Sequence, residues 1–147
     1  MTRKVLNLGK ILADTAARFP EHVGIVQGAR RLDWRTINAR VDAAAHAFAA
    51  AGVGKGDAIL VHSRNSIMMF ESLWTAFKLG AVWVPTNFRL TPREVRHMAE
   101  TSRARAMVCD AGFSAHVDEA RQARDLALVL RAGEARAGER DYEEVVA

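Results

Sequence analysis

The sequence predicts an α/β protein built on a mainly parallel sheet of βα units, preceded by an N-terminal helix and a short hairpin. Three observations carry this expectation. Short apolar runs recur at residues 58–61, 81–84, 106–109 and 126–130. Between them lie longer stretches whose apolar residues fall three and four apart, the spacing of a helix with one buried face. Strands alternating with helices in this way build parallel sheets, because each crossover must carry the chain back along a face of the sheet. The third observation is bulk. With 147 residues, 50% of them hydrophobic and 26% charged, the chain suffices for one core and leaves little room for a second.

Each element can be justified in turn. Leu8, Ile11, Leu12 and Phe19 recur on one side of a first helix, with Asn7 as its N-cap and Pro20 closing it. Arg3, Lys4 and Lys10 make this end basic, but Asn7, Gly9, Lys10 and Asp14 interrupt the apolar run, so no signal-peptide core forms. Residues 23–26 and 30–32 flank Gln27-Gly28-Ala29 and read as a hairpin. Asp33 opens the clearest helix, in which Ile37, Val41, Ala44, Ala45 and Phe48 make one apolar stripe. The Asp33 carboxylate is placed to accept first-turn N–H groups, Leu32 to staple onto Ile37, and Gly52 to supply the left-handed residue that ends a helix.

The next helix runs from an Asn65 cap to Leu79, with Phe70, Leu73, Trp74 and Phe77 on one face and Gly80 at its end. Its only charges are Glu71 and Lys78, while Ile67, Met68 and Met69 widen the apolar surface, so it needs cover on more than one side. Pro85 ends the strand that follows. Thr91 opens a helix to about residue 101 with Pro92 at its first position, and another helix runs from about 113 to 123. Beyond Arg131 the apolar periodicity fades. Residues 1–130 therefore read as the α/β body, and 131–147 as a polar linker with a short helix at 141–146.

Composition excludes several classes of function. The formal charge of +4 is spread as 18 bases against 12 acids over the first 130 residues and three against five thereafter. Acids and bases are interleaved, as at Asp14/Arg18 and Glu119/Arg121, so the surface is mixed rather than a nucleic-acid face. One cysteine excludes an internal disulfide framework, and Cys109 reads as a small buried hydrophobe. The histidines at 22, 46, 62, 97 and 116 show no metal-ligand spacing, so no metal site is expected. No apolar stretch approaches the roughly 18 residues that span a bilayer, and a cytoplasmic location is the default.

Three loops have the look of binding motifs. Gly52-Val53-Gly54-Lys55-Gly56-Asp57 runs from a helix into a strand, the reverse of a phosphate-cradling loop, and reads as a turn. Gly112-Phe113-Ser114-Ala115-His116 has the placement of a nucleophile elbow but lacks its second glycine, so an ordinary helix start is expected. The segment 85–92 is different. It joins a strand's carboxyl end to a helix, the edge where open parallel sheets bind ligands. Arg89 in this loop is a candidate phosphate or carboxylate contact, with solvent or a local acid as the alternative. Arg93, Arg96, Arg103 and Arg105 follow it in a dense cluster.

The order of segments resembles the N-terminal portion of the adenylate-forming acyl-CoA synthetases, the AMP-binding superfamily shared with luciferases and peptide-synthetase adenylation domains. The resemblance rests on Leu32-Asp33-Trp34-Arg35-Thr36-Ile37, on 52–60, on Phe77-Lys78-Leu79-Gly80-Ala81-Val82-Trp83-Val84-Pro85 and on Asn87-Phe88-Arg89-Leu90-Thr91. Each piece alone is weak; their succession, over most of 7–130, is specific. Asp33-Trp34 stands where a Thr-Tyr pair is frequent, keeping the capping oxygen and the aromatic ring.

The resemblance implies part of the large N-terminal domain of an acid–CoA ligase, which uses ATP with Mg and then CoA to turn a carboxylic acid into its thioester. The family's phosphate loop of Ser, Thr and Gly is not here, since no Ser-Gly-Thr occurs in the chain. The chain is therefore expected to be inactive alone, without catalytic residues and without tight cofactor binding. The one residue carried over is Arg89: in similar aryl-CoA ligases the arginine of the Asn-x-Arg-Leu segment can contact a phosphate of the CoA nucleotide. Uncovered apolar faces would favour self-association, and fatty, aromatic and alicyclic acids all remain open as substrates. A free-standing α/β binding module derived from the same segment is the alternative, and a weak nucleic-acid binder a more distant one.

Overall fold

The alternation read from the sequence is realised as five parallel strands with helices on both faces. A computed structural model describes residues 7–147. Arg3 and Lys4, weighed above as part of a leader, lie outside the described residues. In chain order the elements are α1 (Gly9–Arg18), β1 (Val23–Gln27), β2 (Arg30–Asp33), α2 (Trp34–Ala50), β3 (Ala58–His62), α3 (Ile67–Leu79), β4 (Val82–Thr86) and α4 (Pro92–Ser102). There follow β5 (Ala104–Cys109), α5 (Ser114–Ala123), β6 (Leu128–Arg131), β7 (Arg140–Asp141) and α6 (Tyr142–Val146). The sheet runs in the order β4-β3-β5-β6-β7, every neighbour parallel, while β1 and β2 form a separate antiparallel hairpin.

The central strand shows why this sequence makes a two-sided sheet. All five residues of β3 are buried, and successive side chains point to opposite faces. Ile59 and Val61 pack with Ala44, Phe48, Met68, Ala76, Tyr142 and Val146, which come from α2, α3 and α6. Leu60 packs on the other side with Met107, Val129, Val95, Ala99, Val117 and Ala120. Burying a side chain such as Phe48 contributes about 1.5–3 kcal/mol. A third cluster joins Leu12 of α1 to Ile37 and Val41 of α2 and to Ile25 and Leu32 of the hairpin. The stapling of Leu32 onto Ile37 and the Asp33 cap (Thr36 N–H to Oδ1, 2.7 Å) are both present. Gly52 and Gly80 take positive φ, 79° and 68°, at the ends of α2 and α3.

Several local expectations are corrected. On α1 only Gly9, Leu12 and Ala16 are buried, whereas Leu8, Ile11 and Phe19 are exposed. Gly9 lies so close to α3 that an added Cβ would come within 2.7 Å of the Lys78 backbone, which draws the helix in along its small-residue side. Ser66, not Asn65, caps α3, its hydroxyl accepting from Met69 N–H at 3.1 Å. The buried side of α3 is Ile67, Met68, Glu71, Ser72, Thr75 and Ala76, and Phe70, Leu73, Trp74 and Phe77 are only half-buried. A charged residue thus occupies the inner face because a partner waits for it there.

Pro85 does not end β4; the strand continues to Thr86. β4 is the sheet's edge, so a residue without an N–H costs no ladder hydrogen bond on its open side. The stretch read as a polar linker packs onto the body instead. β7 adds a fifth strand beside β6, and Tyr142 and Val146 of α6 are buried. Charge networks hold this segment. Burial alone would raise the Glu139 carboxyl, but hydrogen bonds from Arg131 (2.5 and 3.0 Å) and Arg136 (2.8 and 3.1 Å) hold it at about 2. Apolar periodicity carries no trace of such a contact.

Candidate functional site

Three loops leave the carboxyl ends of β3, β4 and β5, and local rules shape each. After β3, Ser63 donates to the Arg64 carbonyl (2.7 Å), and Arg64 N–H donates to the Asp110 carboxylate (3.3 Å). After β4, Asn87 Oδ1 accepts from Arg89 N–H (3.0 Å), and Leu90 N–H returns to the Asn87 carbonyl (3.0 Å). This side-chain turn is the favoured use of asparagine, and it leads into a reciprocal cap. Thr91 accepts from Glu94 N–H while Glu94 Oε2 accepts from Thr91 N–H at 2.7 Å. After β5, Asp110 N–H donates to the His62 carbonyl at 3.2 Å, tying the first loop to the third.

Beneath the loops two imidazoles are stacked. The His62 and His116 rings lie 4.5 Å apart at 24°, and Phe113 meets His62 edge-on at 4.4 Å. Thr86 donates its hydroxyl proton to the Val61 carbonyl (3.1 Å), so the 2.7 Å contact with His62 Nδ1 requires that nitrogen to be the donor. His116 Nε2 donates to the Leu90 carbonyl at 2.9 Å. Among the described residues no partner reaches His62 Nε2 or His116 Nδ1. Burial, and then the neighbouring His116, push His62 down to about 4, so it stays neutral near pH 7. Thr86 and His62 brace the β4 loop from below.

Above this floor stand Phe88 and two arginines. Arg89 is exposed, and its guanidinium carbon lies 5.0 Å from the Phe88 ring centroid. Arg64 lies over the same ring at 5.6 Å and over Phe113 at 5.1 Å. Arg89 is thus where the sequence puts it, at the carboxyl edge and open to solvent. Arg64, His62 and Phe113 were not singled out as site residues. The only signal available for them was their position at strand ends facing the same edge.

The arginine cluster that follows Arg89 does not form one patch. Arg96 on α4 is committed to Glu100 (3.3 Å) and Glu119 (3.6 Å). Arg103 caps the end of α4 with φ 54°, and Arg105 lies near the start of β5, so both sit at the opposite edge of the sheet. The glycine turn at 52–57 is at that amino edge too, closed by Asp57 accepting from Gly54 N–H (2.8 Å). Residues 112–116 begin α5 in the ordinary way, with Phe113 buried. Cys109 is a buried strand-end residue whose thiol burial pushes up to about 12. Among the described residues no three His, Cys, Asp or Glu side chains converge to hold a metal ion, and no helix is long and apolar enough to cross a membrane.

A sequence profile of the family described as AMP-binding enzyme matches residues 12–146. The chain belongs to the AMP-binding enzyme family. It is 36% identical over 107 residues to a 3-hydroxybenzoate–CoA ligase of Aromatoleum sp. (strain CIB), an alignment covering 73% of this chain and 20% of that one. A fatty acyl CoA synthetase structure from Mycobacterium tuberculosis superposes with a TM-score of 0.79 at 26% identity, over 86% of this chain and 26% of that one. A benzoate CoA ligase structure from Burkholderia xenovorans LB400 shares the fold at a TM-score of 0.85 and 18% identity, over 97% of this chain and 28% of that one. The chain thus spans about a fifth of the length of the aligned hydroxybenzoate ligase. In this family member the carboxyl edge just described is the candidate ligand-binding surface.

Proposed function

We propose that the chain is the N-terminal segment of an ATP-dependent acid–CoA ligase and that, alone, it is a scaffold rather than a catalyst. In such an enzyme ATP supplies the adenylyl group that activates the carboxylate, and CoA supplies the thiol that receives the acyl group. The observation that carries the reading is Arg89: an exposed guanidinium, stacked on Phe88, on a loop built at the carboxyl edge of the parallel sheet. This fits a phosphate of the CoA nucleotide, which guanidinium binds through charge-assisted, often bidentate hydrogen bonds. The residues do not fit ATP. No Ser-Gly-Thr run is present in the chain to cradle a triphosphate. A carboxylic acid substrate, taken from elsewhere in the enzyme, and a cytoplasmic location belong to the same reading.

The test has two parts. The purified 147-residue chain should show neither ATP–pyrophosphate exchange nor acyl-CoA formation with fatty or aromatic acids. Turnover in either assay would overturn the scaffold reading. In a longer ligase carrying this segment, Arg89→Ala should raise the KM for CoA about tenfold and leave those for ATP and acid within about twofold. Equal changes in all three would mark Arg89 as a structural residue instead.

A further inference from the structure

The middle of the β4 loop, Asn87, Phe88 and Arg89, is exposed, but both of its ends rest on imidazoles. At the start, the buried Thr86 hydroxyl accepts a hydrogen bond from His62 Nδ1 at 2.7 Å; at the finish, the Leu90 carbonyl accepts one from His116 Nε2 at 2.9 Å. The two rings lie 4.5 Å apart at 24°, so a single stack joins both anchors. His62 is buried and meets Phe113 edge-on, and its Nδ1 hydrogen is committed to Thr86. A further proton must therefore go to Nε2, which no partner among the described residues reaches. The charges around the stack are engaged elsewhere. In the loops above it, Asp110 lies 3.9 Å from the Arg64 guanidinium, which itself stands over Phe113. On β5 the Cys109 thiol is pushed up to about 12 by burial and stays uncharged. On α4, Glu94 is bound to Thr91, Arg96 pairs with Glu100 and Glu119, and Arg93 and His97 are exposed. On α5, Asp118 pairs with Arg136. Among the described residues no acid bonds to either ring to offset a charge there.

We infer that His62 and His116 form a proton-operated latch on the β4 loop, in which a proton taken up by His62 parts the stacked rings and frees the loop at both ends. An imidazolium at His62 is a buried charge with no acid beside it, and the ring is stabilised by moving out to water. That movement breaks the bond to Thr86. It also takes away the ring on which His116 stacks, and with it the fixed direction of the His116 bond to the Leu90 carbonyl. The proton comes from solvent and returns to it as the pH rises, and no covalent bond changes. The sign follows from burial: His62 is held at about 4 against its ordinary 6.5, so the latch is closed at neutral pH and its opening grows easier as the pH falls between those values. The latch does not depend on what Arg89 contacts. It sets whether the carboxyl edge keeps one shape.

The experiment is NMR relaxation dispersion on the 15N-labelled 147-residue chain as a function of pH, read at the amides of Asn87 and Leu90 and at the core amides of Leu60 and Val129. The population of an open state at both loop amides should rise about 40-fold between pH 6.5 and 4.5, while the two core amides show no such process. His62→Gln should leave the loop population independent of pH over that range. Thr86→Val removes the accepting hydroxyl and keeps the branched shape; it should raise the open population about tenfold at pH 7 and preserve the rise towards acid. If His62→Gln does not fold, the wild-type chain and Thr86→Val still decide the matter. A loop population that stays flat with pH in the wild-type chain would overturn the latch. So would a response at Asn87 without one at Leu90, or the same rise in His62→Gln. Core amides that open with the same population as the loop would show acid unfolding of the whole domain and overturn it equally.

Discussion

Two regions of this molecule use arginine in opposite ways. At the junction of α2, α3 and α6, Arg40 is buried and bridges two carboxylates, Glu71 at 2.6 and 3.1 Å and Glu143 at 2.9 and 3.0 Å. Tyr142 donates to Glu71 at 2.9 Å, and Arg30 of the hairpin grips Glu143 at 2.8 and 2.9 Å. Burial by itself disfavours the Arg40 charge, but the hydrogen bonds it donates to both acids overcome this and raise its pKa. At the carboxyl edge, Arg64 and Arg89 lean on rings; Arg64 makes only a long ion pair with Asp110 (3.9 Å), and Arg89 makes none among the described residues. A cation already paired with carboxylates is part of the fold. A cation placed on an aromatic face is held in position without being used up, which is what a binding surface requires.

The sharpest way to break the contrast is to remove the buried acid. Glu71→Ala leaves Arg40 desolvated and should cost about 3–5 kcal/mol in denaturant unfolding. A loss under 1 kcal/mol would mean water reaches Arg40 and that the two regions differ less than their geometry indicates.

Acid titration probes the next largest effect. His62 is held at about 4, below its ordinary value of 6.5, so the unfolded chain binds more protons between those values. Stability should therefore be full above pH 6.5 and fall as the pH drops towards 4, by up to about 3 kcal/mol. His62→Gln should flatten that limb. Glu143, held at about 2 by hydrogen bonds from Arg30 and Arg40, and Glu139 add a second loss as the pH falls from 4.5 towards 2. Unchanged stability from pH 6.5 to 4.5 would contradict a buried, neutral His62.

Smaller effects sharpen the comparison. Burial, then the Glu71 carboxylate, push the Tyr142 phenol well above its usual range. Tyr142→Phe removes its hydrogen bond to that carboxylate and should cost about 1.5–3 kcal/mol by thermal unfolding, less than Glu71→Ala because Arg40 keeps its partner. Smallest of all, Arg89→Ala should change stability by no more than about 0.5 kcal/mol. A larger loss would place Arg89 with the structural arginines and weaken its claim as a ligand contact.

Much of this molecule was legible before its coordinates. Period and punctuation located the hairpin, the Asp33 and Thr91 caps, the βα alternation and the β4 loop with Arg89, because those features depend on near neighbours in the chain. The errors share a cause. The sequence shows Glu71 on an apolar helix without its partners, because Arg40 and Tyr142 lie far from it along the chain. Residues 131–147 were read as polar because Arg131, Glu139 and Arg136 satisfy one another only after the chain folds back. Arg64 carried no signal because its neighbours Phe88 and Phe113 arrive on other strands.

The sequence alone thus determined the fold class, the order of the elements and the edge at which Arg89 stands. Local hydrogen bonds and side-chain periodicity are encoded within a few residues, so no knowledge of distant partners is needed. Only the tertiary structure decided which arginines are consumed by carboxylates and which share an aromatic ring. Charge pairing and desolvation depend on distances in space, and those exist only once the five strands are side by side.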